Sequence, residues 1–170
     1  IDQISYDTEF LTEDQKRLAP AQIHQEAYKK WHEKFPEKSK KEMLKDWGEP
    51  PGNVYLHEEK LYLPGIFFGN VFVGIQPPRG FGENPVAIYH SPDIVPTHHY
   101  LAFYRWLKED FKTDAVIHLG KHGNLEWLPG KAVALADTCY PDLAIADLPF
   151  FYYFIINNPG EGSQAKRRTH

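Results

Sequence analysis

The chain has 170 residues, 42% hydrophobic and 15% aromatic, which is enough apolar material for one sizeable core and excludes global disorder. A net charge of −4 leaves no basic footprint for neutralising phosphates, which excludes nucleic acid as a partner, and no apolar run reaches the ~18 residues of a membrane-spanning helix. A single cysteine, Cys139, can form neither an internal disulfide nor a thiolate cage; it reads as a small buried hydrophobe in a reducing, cytoplasmic setting.

The chain opens on "IDQISYDTEF", without methionine or signal pattern, and closes on "AKRRTH", where a helix is only starting. It therefore reads as an internal piece of a larger protein. From Thr12, a natural N-cap, to about Lys45 the composition is charged and helix-forming, with Ile23, Ala27 and Trp31 at helical spacing and a break near Pro36. Its lysine-rich stretch "PEKSKKEMLK" reads as a solvated helix face. "WGEPPG" can continue neither helix nor central strand. The spacing thus predicts a helical arm over 1–50 and an α/β segment over 51–170.

Beyond that break, β-branched and aromatic residues punctuated by Gly and Pro predict strands around 54–56, 61–63, 70–76 and 86–89. Thr97 caps a predicted helix over 98–110, in which Leu101, Tyr104 and Leu107 recur at helical spacing, followed by Phe111. His98 and His99 at its start point two ways and read as capping or surface residues. "TDAVIHLG" is then a short buried strand. Strand, helix and strand in this order predict a βαβ crossover and an α/β fold with a largely parallel sheet covered by helices. "LPFFYYFII" reads as a core strand, and "NNPGEGSQAKRR" as a turn before a helix starting near Ser163.

Ligands of open parallel sheets sit beyond the carboxyl ends of the strands, which is where "HLGKHGNLEWLPGK" falls. His118, His122 and Glu126 are spaced by four, but Gly120 and Gly123 argue against a helix. A loop turning at the glycines would instead bring the second imidazole and the carboxylate back beside the first. Such a set accepts protons near neutral pH and holds a divalent cation loosely; spacing alone does not separate the two jobs. Glu126 could equally pair with Lys121 or Lys131. The helical His-Glu-x-x-His signature of zinc hydrolases and the phosphate-loop template are both absent. Arg79, flanked by Gly80 and Gly82, suits a grip on a carboxylate. Lys166, Arg167 and Arg168 are expected in the first turns of the last helix, as a solvent face or a ligand contact.

The segments "LPGIFFGNVFVGIQPPRG", "YHSPDIVPTHHYLAFYRWL", "HLGKHGNLEWLPGK" and "LPFFYYFIINNPGEGSQAKRR" together resemble the large, tetrapyrrole-binding subunits of the family shared by aerobic cobaltochelatase and magnesium chelatase. The resemblance covers nearly all of residues 47–168. Lys121 and Trp127 are similar to the cobalt branch, where the magnesium branch typically has Thr and Phe. The resemblance implies insertion of Co²⁺, as substrate metal, into hydrogenobyrinic acid a,c-diamide for cobalamin synthesis. ATP and Mg²⁺ would act on separate AAA+ and accessory partner subunits, and the piece alone would be inactive. Combined with the loop chemistry, it assigns His118, His122 and Glu126 to presenting the cation and accepting the ring protons, with Glu126 as base. Arg79, Lys121, Lys131 and Lys166 to Arg168 would hold the acidic side groups of the macrocycle. Two alternatives stand beside this: insertion of Mg²⁺ into protoporphyrin IX, and a non-catalytic module that binds the tetrapyrrole or docks the ATPase.

Overall fold

The computed structural model describes residues 20–80, 91, 93–120, 123–154 and 159–168. Thr12 and the strand expected at 86–89 lie outside them.

Strand β1 (Ala21–His24) leads directly into helix α1 (Gln25–His32), whose first turn is closed by His24 Nδ1 accepting from the Glu26 amide at 3.3 Å. Ile23 has helical spacing with Ala27 and Trp31, yet it lies in a strand, where it alternates with Ala21 and is buried by pairing with Leu61. Pro36 starts α2 (Glu37–Trp47), and Gly48 ends it at a φ of +76°, a left-handed position suited to glycine. β2 (Leu56–His57) and β3 (Lys60–Leu63) follow, and the sheet order is β1-β3-β2, antiparallel. The turn between them places Glu58 and Glu59 at positive φ, so a mirror-image turn forms without the Asn-Gly signal that usually announces it.

The core is continuous across residue 50. Tyr28 and Met43 from the N-terminal elements are fully buried in the same cluster as Leu61 and Tyr104, and Trp47 Nε1 donates to the Val95 carbonyl at 2.7 Å. A second hairpin, β4 (Gly65–Phe68) and β5 (Val71–Gly74), lays Phe72 on the helix that follows, with its ring centroid 4.9 Å from that of Trp106. That helix, α3 (His98–Glu109), is capped by Thr97 Oγ1 accepting from the Tyr100 amide, as its sequence predicts. It is buried almost all round. His98 and His99 are buried rather than superficial: His98 bonds both the Tyr28 hydroxyl and the Gly48 carbonyl, and His99 bonds the Tyr62 carbonyl.

β6 (Val116–Gly120) and β7 (Phe150–Phe154) form a parallel pair, with His118 opposite Tyr152, joined through a single 3₁₀ turn (Leu125–Trp127) and helix α4 (Tyr140–Ile145). The chain is thus mixed α/β, with the parallel component placed beneath the glycine-rich loop. One face of this pair packs on α3; on the other, Ile117, Leu119, Phe151 and Tyr153 are exposed. Helix α5 (Pro159–Arg168) starts a turn earlier than expected, so Lys166, Arg167 and Arg168 occupy its last turn, where the helix dipole favours cations.

Candidate functional site

Alternation along β6 turns Val116, His118 and Gly120 toward α3 and leaves Ile117 and Leu119 outside. His118 is thereby set between Phe150, 4.8 Å away by ring centroid, and the Tyr104 hydroxyl, 3.1 Å from its Nε2. Burial pulls its pKa down to about 4, so the ring is neutral at physiological pH. His118 lines a cleft of about 660 Å³ between the β4–β5 hairpin, α3 and β6, with Phe72, Phe103 and Leu107 as apolar wall.

The chain then folds back over the strand end. A Cβ on Gly123 would stand 3.2 Å from Gln76 Oε1 and 3.3 Å from His118 Nδ1, so glycine permits this close return. The 3₁₀ turn that follows is nailed down by Leu125 and Leu128, both fully buried, and carries Glu126 between them at 2% exposure. Its main-chain carbonyls are gripped by two buried guanidinium groups. Arg168 donates to the carbonyls of Glu126 (2.7 Å), Leu128 (2.7 Å) and Lys131 (2.9 Å), and Arg79 donates to that of Trp127 (3.0 Å). Arg79 also holds the carbonyls of Ser91 and Ile94, at 2.8 and 2.7 Å. Burial lowers the pKa of both arginines, while the Glu126 carboxylate opposes that shift at Arg168.

A polar network underlies the loop. Gln76 Nε2 donates to the hydroxyls of Tyr100 and Tyr104 at 3.1 and 2.8 Å, its Oε1 accepts from the Asn124 amide at 3.0 Å, and Tyr100 donates to Asn124 Oδ1 at 2.7 Å. Desolvation raises the pKa of both tyrosines, with the neighbouring Tyr104 hydroxyl next at Tyr100 and the Glu126 charge a smaller contribution at each, so both remain neutral.

Of the residues singled out in the sequence, His118 sits on β6 and lines the cleft, whereas Glu126 is buried in the 3₁₀ turn that follows and is not among the cleft's lining residues; the Tyr104 hydroxyl bonds the first and feels the charge of the second. Lys121 and His122 lie outside the described residues. Lys131, Lys166 and Arg167 are exposed, whereas Arg79 and Arg168 spend their hydrogen bonds on carbonyls. Among the described residues no group of three or more His, Cys, Asp or Glu side chains is placed to hold a metal ion. Gln76, Tyr100, Tyr104 and Asn124 were missed by sequence reasoning. Tyr100 and Tyr104 carried the one available signal, a pair of hydroxyls four apart on an otherwise apolar helix face. Among the described residues no helix is long and apolar enough to cross a membrane.

A family model described as CobN/Magnesium Chelatase matches residues 1–170. An uncharacterized protein of Methanocaldococcus jannaschii is 57% identical over 164 residues, 96% of this chain and 13% of that protein. The aerobic cobaltochelatase subunit CobN of Pseudomonas aeruginosa is 51% identical over 136 residues, 80% of this chain and 11% of its own length. Among solved structures, the catalytic subunit of cobaltochelatase from Mycobacterium tuberculosis superposes with a TM-score of 0.80 at 47% identity, over 89% of this chain and 14% of that one. The chain therefore spans only 11–14% of the length of the named cobaltochelatases.

Proposed function

Because the chain belongs to the CobN/magnesium chelatase family, we propose that it forms the insertion site of a cobaltochelatase, placing Co²⁺ in hydrogenobyrinic acid a,c-diamide on the way to cobalamin. The observation that carries this reading is the placement of His118 in a cleft on a parallel strand, directly ahead of a clamped loop that carries Glu126. Insertion displaces the inner N–H proton of a corrin, or two such protons from a porphyrin, and strips the cation of water. A carboxylate and imidazoles that hold the metal weakly suit both tasks, since tight binding would retain the metal. Glu126 is the proposed proton acceptor, with His118 and His122 beside the cation's path. Lys121, Lys131, Lys166 and Arg167 would meet the acidic side groups of the macrocycle, and Arg79 and Arg168 would serve the same end by holding the loop.

The energy source in this reading is ATP hydrolysed with Mg²⁺ on AAA+ partner subunits, in the cytoplasm, and the 170-residue chain by itself inserts no metal. The cobalt branch is favoured over the magnesium branch by Lys121 and Trp127 and by the cobaltochelatase names of the relatives above. Offering Co²⁺ with hydrogenobyrinic acid a,c-diamide against Mg²⁺ with protoporphyrin IX to the full-length enzyme decides between them; preference for the second pair would move the assignment to magnesium. Glu126→Gln in the same enzyme should abolish insertion and spare tetrapyrrole binding, whereas normal turnover would remove Glu126 as base. A docking role is a second reading, favoured by the exposed apolar face of Ile117, Leu119, Phe151 and Tyr153. In that case the chain binds the ATPase while Glu126→Gln leaves insertion intact.

A further inference from the structure

We infer that Gln76 is a positioning residue which dictates, through a directed chain of hydrogen bonds, that His118 presents Nδ1–H to the loop and keeps Nε2 as an acceptor. The functional meaning of this rests on the insertion site proposed above; the hydrogen bonds themselves do not.

The chain starts at a donor that cannot turn round. The main-chain N–H of Asn124 donates to Gln76 Oε1 at 3.0 Å, and this fixes which end of the Gln76 amide faces which way. Nε2 must then point at Tyr100 and Tyr104, and it donates to both hydroxyl oxygens. Each hydroxyl, having accepted from Gln76, passes on its own hydrogen. That of Tyr100 goes to Asn124 Oδ1 at 2.7 Å. Tyr104 faces His118 Nε2 at 3.1 Å, and a neutral imidazole nitrogen is a better acceptor than a phenol oxygen. Nε2 is thus occupied as acceptor, and the one proton of the neutral ring resides on Nδ1.

Nδ1 is the nitrogen beside Gly123, 3.3 Å from where a Cβ would stand, and His118 and Gly123 both line the cleft. His118 therefore offers the site a hydrogen-bond donor, fit for a carbonyl or carboxylate oxygen of a substrate. It cannot bind a cation or take a ring proton through Nδ1 until that hydrogen has left. Until then those tasks fall, in the site proposed above, to Glu126. Tyr100 and Tyr104 are fully buried by residue and Gln76 is half-buried at the cleft wall, with its amide nitrogen bonded to both hydroxyls and its oxygen to the Asn124 amide.

The test is tautomer assignment by long-range ¹H–¹⁵N spectra of the chain carrying ¹⁵N-labelled imidazoles, with the His118 signals identified by their loss in His118→Gln. The expected result is a protonated Nδ1 and the strong downfield shift of a bare Nε2. Gln76→Glu replaces the amide donor by a carboxylate that draws the Tyr104 hydrogen to itself, and should move the His118 proton to Nε2. Tyr104→Phe, which removes the donor and little volume, should give a mixture of tautomers. In the full-length enzyme Gln76→Glu should slow insertion about 10–100-fold, the usual cost of losing such a supporting partner. A bare Nδ1 in the unmodified chain overturns the inference, as does a His118 tautomer unmoved by both substitutions. If Gln76→Glu fails to fold, the unmodified chain and Tyr104→Phe still decide. Failure of the insertion reading would show in the Glu126→Gln assay and leave these spectra as expected.

Discussion

Replacing Arg168 by methionine removes the side chain on which the site loop hangs. Three carbonyls, those of Glu126, Leu128 and Lys131, lose a charged donor at once. Leaving one buried acceptor without a partner costs ~1–3 kcal/mol, so the two buried carbonyls, those of Glu126 and Leu128, set a ceiling of about 6 kcal/mol, to which the half-buried bond to Lys131 adds less. The loop will relax and admit water, and such losses are not additive; about 3–5 kcal/mol is the expected destabilisation. Lysine keeps the charge but lacks the planar fork, reaching one carbonyl well where Arg168 reaches three, so Arg168→Lys should cost roughly half as much. With a urea dependence of about 2 kcal/mol per molar, the unfolding midpoint should fall by about 1.5–2.5 M for methionine and about 1 M for lysine. Trp127, whose carbonyl is held by the other arginine, reports the loop by fluorescence once Trp31, Trp47 and Trp106 are replaced by phenylalanine in parent and variants alike. If both variants unfold within ~0.5 kcal/mol of the parent, Arg168 does not clamp the loop and its hydrogen bonds contribute nothing net.

His99 and His118 each have a pKa pulled down to about 4 by burial, below the unfolded value near 6.5. The unfolded chain therefore binds more protons between those values, and stability present above pH 6.5 is lost on acidification, at about 2 kcal/mol per unit for the pair. Urea midpoints measured from pH 7 to pH 5 should fall accordingly, and a flat profile would contradict it. Gly130 sits at a φ of +144°, and a Cβ there would meet Cys139 Cβ at 2.7 Å, so Gly130→Ala should destabilise by ~2–4 kcal/mol in the same assay.

Helix α3 was legible because its start is written in side chains: Thr97 caps it, and Leu101, Tyr104 and Leu107 repeat on the face it buries. β6 was legible for the same kind of reason, a short apolar run ending in glycine. β1 was not, because Ile23, Ala27 and Trp31 suit a helix equally well, and only the distant partner Leu61 makes Ile23 a strand residue. The site divides likewise. His118 and Glu126 advertise themselves by residue type. Arg79 and Arg168 do not reveal their role, since the groups they hold are main-chain carbonyls, which no sequence pattern marks. Gln76 is invisible for a related reason: its importance is that of a connector between Asn124 and two tyrosines, and lies wholly in geometry.

The most direct test of the account is a structure of the full-length enzyme with its tetrapyrrole bound. The account predicts the macrocycle lying across the loop that follows β6, its ring nitrogens within reach of the Glu126 carboxylate and a side-chain oxygen at His118 Nδ1. A macrocycle seated elsewhere, with Glu126 still enclosed beneath the loop, would contradict it.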